Sequence, residues 1–445
     1  MELMWLMWFK IFFMKPNLIF DASPLTRTYK GWLNKDGIYR VTDQILKKLI
    51  ESKAFTIYLF DSHFEREFKK YVLSNYAHVK LLRTDYSYNI YLDMANNFEQ
   101  KQPGLSGFKL FLCKVFKKLF RWFGKFLSYL GQKRQKRFSF LKDGDIYFST
   151  LLPFPNNFEF IKPLHKAIIV HDLIPLIHPE FSWKGSVDFA EKLMKSISNE
   201  DTVFCVSQFS KNDLLRFKPD LKAENIIVTY LAGADCFKPV DSIQKLNIVR
   251  EKYAIPNAPY FLSVSTVSPR KNIRFLITAY EELLKDCDNE QPYPVLVLTG
   301  THLNWDGPDN ELIFKDMARI NESYPNAVIL TGFVPDEELV ILYSNTNALV
   351  YPSLYEGFGI PPLEAMQCGA PVITSNVTSL PEVVGDAGIQ ISPDDVEGLK
   401  NAMLQCLDET FVSEMRKKSL ERAKEFSWTK MADIIIQTLN RVIYK

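Results

Sequence analysis

Short apolar runs alternate with longer amphipathic segments along most of the chain. The runs with the length and composition of buried strands are residues 17–23, 55–60, 166–173, 202–207, 260–265, 295–300, 327–333 and 348–353. Segments between them, such as 272–286 and 396–410, repeat apolar residues with the period of a helix. Strands that alternate with helices build βαβ units and parallel sheets. The pattern therefore predicts an α/β protein with enough strands for two sheets.

Glycine and proline interrupt this pattern near residues 233–258. Gly233, Pro239, Pro256 and Pro259 stand there, and a new strand starts directly afterwards. We therefore expect two doubly wound, Rossmann-like domains, 15–240 and 241–425, that face a central cleft. The segment 426–445 is expected to form a helix that packs back toward the N-terminal domain. Ligands of such sheets bind beyond the C-terminal ends of the strands.

Composition narrows the class of protein without naming an activity. The chain has 445 residues, longer than the roughly 250–300 at which single cores stop growing. Its net charge of +2 indicates no general affinity for nucleic acid. None of the six cysteines forms a C-x-x-C pair or lies near a histidine at zinc-ligand spacing. We expect isolated thiols in a reducing, cytoplasmic compartment and no metal site.

The first fourteen residues, MELMWLMWFKIFFM, are mostly apolar. They are shorter than the roughly 20 residues that span a bilayer. Glu2 stands where a signal peptide carries positive charge. Met14 opens a segment that is typical of the first strand of an α/β domain, so we expect the fold to begin near residue 15. A membrane-touching N-terminus is the alternative.

Residues 108–137 form a basic and aromatic segment without any acidic residue. On a helix, one side would carry five cations, Lys114, Lys117, Lys118, Arg121 and Lys125. The other side would carry apolar residues, Leu112, Val115, Phe116, Leu119, Trp122, Phe123, Phe126 and Leu130. A helix of this kind suits the peripheral binding of an anionic membrane surface, here the inner face of the cell membrane. The alternative is a surface helix that packs its apolar stripe on the core. Nucleic-acid binding is the weaker reading because no recognised nucleic-acid fold accompanies the segment.

The richest chemistry lies in residues 356–364, EGFGIPPLE, directly after an apolar strand. Gly357 and Gly359 let backbone N–H groups approach a ligand closely. The prolines that follow are typical of the first turn of a helix, whose N-terminus favours a diphosphate. Glu356 and Glu364 bracket this loop and would accept hydrogen bonds from sugar hydroxyls. A capped helix without a ligand is the alternative for the loop taken alone.

Three further segments follow predicted strands. Arg270 and Lys271 lie in SPRKN (268–272), where two cations would neutralise a leaving diphosphate. His171 lies at the end of the strand KAIIV (166–170) and would face a reacting sugar, or else serve as a capped or core histidine. Gly37 opens a helix after the first strand and would let the backbone approach a phosphate.

These segments together resemble glycosyltransferase family 4, which has the two-domain architecture called GT-B. The resemblance covers nearly the whole chain from about residue 17. It is strongest at the E-x7-E motif of Glu356 and Glu364 and at the following AMQCGAPVITSNVTSLPEVVGDAG (365–388). SPRKN, VSQFSKNDL (206–214), TGFVPDEEL (331–339) and the terminal FSW helix also resemble family blocks. The pattern around His171 and SPRKN is somewhat similar to that of bacterial mannosyltransferases of surface polysaccharide assembly.

The resemblance implies a role for each matching residue. Arg270 and Lys271 would hold the donor phosphates, Glu364 the ribose and Glu356 the transferred hexose, while His171 would lie near the sugar and the acceptor. The expected catalytic residues are His171, Glu356, Arg270 and Lys271. The expected donor-binding residues are Gly37, Ser265, Thr266, Phe333, Val334, Gly357, Phe358, Gly359, Ile360 and Glu364.

The implied reaction transfers a hexose, with retention of anomeric configuration, from a nucleoside-diphosphate sugar to a saccharide or lipid-linked saccharide. The resemblance implies neither a cofactor nor a bound metal, and the donor preference leans toward GDP-mannose. The chain departs from the family at residues 263–266, SVST, where many members have glycine, and at Gly37, which stands in place of a glycine pair. Both departures bear on the pose of the donor.

Other functions are compatible with parts of the pattern. Sugar-nucleotide epimerases and phosphorylases share the architecture, and a non-catalytic partner subunit could keep the fold without the activity. Such a subunit would be expected to lose Glu356, Glu364 or Lys271, yet all three are present. A dinucleotide oxidoreductase is disfavoured because no G-x-G-x-x-G follows the first strand.

Overall fold

In the computed structural model of the protein, the strands lie in two parallel sheets that helices cover. The predicted α/β class and the predicted strands are confirmed, while the short strands near residues 80, 146, 226, 372 and 389 were not predicted. The structure describes residues 15–25, 37–60, 76, 79–82, 118, 140–142, 144–155, 161, 163–266, 268–287, 292–300 and 308–443.

The first sheet has seven strands in the order β3-β2-β1-β4-β5-β6-β7, and the second has six in the order β10-β9-β8-β11-β12-β13. The first comprises β1 (Asn17–Asp21), β2 (Thr56–Phe60), β3 (Lys80–Leu81), β4 (Ile146–Ser149), β5 (His165–Val170), β6 (Thr202–Cys205) and β7 (Ile226–Val228). The second comprises β8 (Tyr260–Val264), β9 (Val295–Thr299), β10 (Val328–Gly332), β11 (Ala348–Tyr351), β12 (Val372–Ser375) and β13 (Ile389–Ile391).

Helices connect these strands and cover both sheets. Those beside the first sheet are α1 (Gly37–Ser52), α2 (Ile174–Ile177), α3 (Lys184–Ser196) and α4 (Gln208–Phe217). Those that follow are α5 (Ile243–Lys252), α6 (Ile273–Asp286), α7 (Pro308–Ser323), α8 (Asp336–Asn345), α9 (Ile360–Gln367), α10 (Leu380–Val384), α11 (Val396–Gln405), α12 (Glu409–Ala423) and α13 (Trp428–Ile443).

The two sheets share one topology, and this topology places the site. In each sheet the strand order reverses beside its first strand, between β1 and β4 and between β8 and β11. All recorded strand pairings are parallel, so the C-terminal ends of neighbouring strands meet at one edge. Central strands such as β9 are buried along their whole length, since helices cover both faces. The crevice at such a reversal point is where doubly wound sheets bind ligands.

The terminal helix α13 returns to the first domain. It packs against α1, and the indole Nε1 of Trp428 donates to the carbonyl oxygen of Gly233 at 3.0 Å. Trp428, Met431, Ile435 and Leu439 are buried in a core that also contains residues of α1. The change of sheet falls between β7 and β8, around α5. The domain limits 15–240, 241–425 and 426–445 themselves stay predictions.

The basic segment 108–137 lies, except for Lys118, outside the described residues, and its membrane contact stays a prediction. Within the described ranges, none of the helices combines the length and the apolar character needed to cross a bilayer.

The return of α13 predicts that its buried face stabilises the fold. Ile435 is fully buried, so Ile435→Ala should lower the free energy of unfolding by about 2–5 kcal/mol through lost contacts and the cavity left behind. Urea titration followed by circular dichroism measures this loss. Gln437→Ala, at an exposed position of the same helix, should leave the transition midpoint nearly unchanged. Equal effects of the two substitutions would contradict the docking of α13.

Candidate active site

Glu356 is held between two cations at the C-terminal edge of the second sheet. It follows β11, while Arg270 and Lys271 lie in a 3-10 turn after the neighbouring strand β8. Lys271 Nζ lies 2.5 Å from Glu356 Oε1, and Arg270 Nη1 lies 2.6 Å from Oε2. The hydroxyl of Tyr351 donates to Oε1 at 3.0 Å. The structure thus brings together three residues that the sequence assigned to catalysis.

Burial makes this ion cluster electrostatically strong. Glu356 and Lys271 are each only 8% exposed. Burial alone would raise the pKa of Glu356, but the charges of Lys271 and Arg270 outweigh it and lower the pKa to about 2. Burial lowers the pKa of Lys271 to about 8, against the opposing effect of Glu356. At neutral pH the cluster therefore holds one carboxylate and two cations, a net positive charge that suits an anionic ligand.

Gly357 joins this cluster to the first domain. Its carbonyl oxygen accepts hydrogen bonds from the hydroxyls of Ser207 at 2.8 Å and Ser210 at 3.1 Å. A Cβ atom at this position would lie 2.4 Å from the carbonyl oxygen of His171 and 2.8 Å from Cβ of Asp172. Glycine is needed here because the two backbones touch, which places the end of β5 against the loop that carries Glu356.

Glu364 lies one turn into α9 and is 5% exposed. The helix begins after Gly359, whose φ of 118° suits glycine, and the predicted prolines occupy its first turn. Arg40 of α1 donates from Nη1 to Glu364 Oε1 at 3.0 Å, and from Nη2 to Asp336 at 2.6 Å. Burial raises the pKa of Glu364, Arg40 opposes that effect and Asp336 adds to it. The second carboxylate of the motif is therefore paired across the two domains.

Four of the predicted donor-binding residues lie in segments that follow strands of the second sheet. Ser265 and Thr266 follow β8, and Phe333 follows β10 with 65% of its surface exposed. Val334 is instead buried in the core, so its side chain packs inside the domain. Gly300 follows β9, where a Cβ atom would lie 2.0 Å from the carbonyl oxygen of Ser265. Backbone groups thus dominate this part of the edge.

Two other predicted donor-binding residues sit at contacts between elements. A Cβ atom at Gly37, the first residue of α1, would lie 3.3 Å from Cδ1 of Ile360, so α1 begins against the start of α9. Phe358 is buried between the rings of Tyr230 and Phe426, with centroids 6.2 Å and 5.8 Å away. Only the backbone of Phe358 is therefore suited to face a ligand.

His171 lies directly after β5, where the sequence placed it. Its Nε2 lies 2.9 Å from the carbonyl oxygen of Thr150. Since a carbonyl oxygen only accepts, Nε2 carries a proton and the orientation of the ring is fixed. The role of each predicted site residue stays a prediction, while the geometry places the backbone of His171 against Gly357, the residue after Glu356.

The structure adds residues that sequence reasoning did not assign to the site. Asp172 is half-buried near Arg270, and desolvation raises its pKa. Tyr351 bonds Glu356, and Arg40 and Asp336 extend the site around Glu364. Asp172 and Tyr351 could have been found from their positions at strand ends. The pairing of Arg40 with Glu364 could not, because 324 residues separate the two.

Comparison with known proteins identifies the family. A model described as glycosyl transferases group 1 matches residues 247–426. The O-antigen chain mannosyltransferase B of Escherichia coli is 36% identical over 288 residues, which cover 64% of this chain and 72% of that protein. The chain belongs to the glycosyl transferases group 1 family. The serotype-specific mannosyltransferase WbdA of Escherichia coli is 32% identical over 289 residues, but this group 1 chain spans only 34% of its length.

Solved structures show the same fold. Anabaena HepE, crystallised with UDP and glucose, matches 96% of this group 1 chain and 100% of its own, with a TM-score of 0.61 and 17% identity. A glycosyltransferase from Rickettsia africae covers 96% of this chain with a TM-score of 0.63 and 16% identity. The prediction of two Rossmann-like domains in the GT-B arrangement is confirmed.

The close contact at Gly357 predicts that no side chain is tolerated there. Gly357→Ala should lower the free energy of unfolding by about 1–3 kcal/mol, because a Cβ atom must push the backbone of His171 away. Urea denaturation measures the loss. Gly185→Ala is the control, since the nearest atoms that a Cβ atom would meet there belong to the exposed ring of Trp183, which can turn away. A Gly357→Ala protein as stable as the control would show that the domains do not touch at this point.

Proposed function

We propose that the protein is a retaining hexosyltransferase that moves a sugar from a nucleoside-diphosphate donor to a saccharide or lipid-linked saccharide. The observation that carries the proposal is the buried cluster of Glu356, Arg270 and Lys271 at the reversal point of the second sheet. Relatives that are 32–36% identical are mannosyltransferases named for the O-antigen chain or for a serotype. They support a role in surface polysaccharide synthesis and a mannosyl donor, for which GDP-mannose is our candidate.

The cluster suggests how the donor binds. Glu356 pairs with both Arg270 and Lys271. An arriving diphosphate would pair with these cations, and the dipole and the Ile360 N–H at the start of α9 would add to the attraction, since Pro361 and Pro362 have no N–H. Glu356 would then accept hydrogen bonds from the hexose hydroxyls. Ribose would bond to Glu364, and the base would lie near Phe333 and Val334 at the edge after β10.

The same residues would stabilise the transition state. The bond between the anomeric carbon and the phosphate oxygen breaks, and the acceptor oxygen attacks on the face from which the diphosphate leaves. The acceptor proton passes to a departing phosphate oxygen. Arg270 and Lys271 neutralise the charge that develops there, and His171 lies where it can orient the sugar and the acceptor. We propose that this chemistry needs no cofactor and no bound metal.

The acceptor is proposed to be held at the membrane. The basic and aromatic segment 108–137 belongs to the first domain and would bind anionic lipid at the inner face of the cell membrane. The partners of the enzyme would then be a nucleotide sugar, a lipid-linked or growing saccharide and the membrane surface, but no nucleic acid.

The first activity prediction concerns the cluster itself. Glu356→Gln and Lys271→Ala should each lower turnover by about 100-fold or more, because each removes charge that the transition state requires. Release of GDP or UDP from a panel that includes GDP-mannose, UDP-glucose and UDP-N-acetylglucosamine measures turnover and identifies the donor. Glu397→Gln, an exposed glutamate of the same domain, is the control. Full activity in either cluster variant, with circular dichroism showing a native fold, would overturn the site.

The second activity prediction concerns pH. Glu356 stays ionised above pH about 2, whereas Lys271 loses its charge as the pH rises through about 8. The kcat/KM for the donor should therefore decline above pH about 8, because the neutral amine no longer balances the diphosphate. Initial rates at donor concentrations well below KM, between pH 6 and pH 10, test this, since kcat/KM reports the pKa values of the free enzyme. A rate that stays constant up to pH 10 would show that the charge of Lys271 is not needed.

A further inference from the structure

Arg40 links the first domain to the proposed ribose carboxylate. It lies in the first turn of α1, and its Nη1 donates to Glu364 Oε1 at 3.0 Å. Its Nη2 donates to both carboxylate oxygens of Asp336 at 2.6 Å. Its guanidinium carbon lies 5.9 Å from the ring centroid of Phe237. Both terminal nitrogens of the guanidinium group form hydrogen bonds and one of its faces lies near an aromatic ring, which fixes the position of the group.

We infer that Arg40 is a positioning residue for the nucleoside part of the donor, because it holds Glu364 in the orientation that accepts hydrogen bonds from the ribose hydroxyls. This inference rests on the proposed function and deepens it. Arg40 touches no donor atom in this scheme and acts through Glu364. The ribose contact therefore depends on a residue from the opposite domain.

The geometry shows why a cation is needed beside Glu364. A carboxylate that is 5% exposed loses most of its hydration, and without a partner it would take up a proton. A protonated carboxyl group has less capacity to accept from hydroxyls. Arg40 lowers the pKa of Glu364 and bonds Oε1, which leaves the other carboxylate oxygen to accept a hydroxyl.

The other groups that face Glu364 do not replace Arg40. They are Asp336 and Tyr343 of α8, Cys236 in the segment between the sheets and Cys368 at the end of α9. Of these, Asp336 raises the pKa of Glu364, and the pKa values of Tyr343, Cys236 and Cys368 are raised by burial, which favours their neutral forms. Among this set, Arg40 supplies the positive charge.

The test compares ligands with and without ribose hydroxyls. Titration calorimetry at pH 6.5 and pH 8.5 measures the Kd of GDP and UDP, and of their 2′,3′-dideoxy forms, for the full chain and for Arg40→Met. For the diphosphate that the wild-type chain binds, Arg40→Met should raise Kd about tenfold or more at pH 8.5, because the pKa of Glu364 is about 8 with Arg40 in place and lies higher without it. The loss should be smaller at pH 6.5, where the carboxyl group is mostly protonated in both proteins. The ratio of the two Kd values cancels the titration of Lys271, which both proteins share.

The dideoxy ligand separates positioning from a structural role. It cannot bond Glu364 through ribose, so the wild-type chain and Arg40→Met should bind it equally. An equal loss for both ligands would show that Arg40 only holds the domains together and would overturn the inference. Unchanged or tighter binding of the intact diphosphate would also overturn it, since Arg40 would then be dispensable or would compete with ribose. A wild-type chain that binds neither diphosphate would instead refute the proposed function.

Two further variants serve as controls for the loss of charge and for action through Glu364. Lys48→Met removes the same charge from the same helix, at a pair with Glu51 on the surface, and should bind like the wild-type chain. Glu364→Gln keeps the shape of the carboxylate and removes its charge. It should weaken the diphosphate but not the dideoxy form, and Arg40→Met in that background should add no further loss. The Glu364→Gln variant tests the ribose contact even where Arg40→Met folds poorly. A further loss of diphosphate affinity in the double variant would show that Arg40 does not act through Glu364.

Discussion

The ion cluster of Glu356, Arg270 and Lys271 is the interaction on which the organisation of the site depends. Three charges lose most of their hydration when they are buried, a cost that only close pairing and further hydrogen bonds can offset. Two adjacent strand ends supply that pairing, because β8 leads into the turn with both cations and β11 leads into the loop with the carboxylate. The parallel topology thus fixes the electrostatics. A sheet whose order did not reverse between these strands would not open a crevice above them.

Contact between the domains turns this cluster into part of a cleft. The carbonyl of Gly357 accepts from two serine hydroxyls at the start of α4, and its Cα lies against the end of β5. Nearby, Glu382 of α10 accepts from the N–H groups of Gln208 and Phe209, at 2.7 Å each, and so caps the same helix. Backbone groups that would otherwise stay unpaired at a helix N-terminus are thereby satisfied across the interface. Small residues and capping groups, rather than a large apolar surface, set the position of this part of the cleft.

Local periodicity and strand-end chemistry predicted most of the fold and the centre of the site. Short stretches of sequence indicate the apolar strands, the break between the two domains and the cations after β8. The short strands β3 and β13 were missed because two or three residues carry no measurable period. The buried position of the Phe358 ring and the partners of Glu364 were missed for another reason. Both depend on residues that are distant in sequence, and only the packing of one domain on the other brings Arg40 of α1 to α9.

The two glutamates of the motif are alike in sequence and different in environment. Both are buried, yet the cations that hold Glu356 come from its own domain and lower its pKa, whereas burial raises the pKa of Glu364 and its cation comes from the other domain. Glu356 is therefore ionised in any arrangement that preserves the second domain. The charge of Glu364 depends on how the two domains meet. If these carboxylates bind hexose and ribose as we propose, the sugar to be transferred bonds to Glu356, which is always charged. The nucleoside bonds to Glu364, whose ion pair with Arg40 forms only when the two domains meet. Binding of the nucleoside would then favour the closed cleft, because each stabilises the same ion pair.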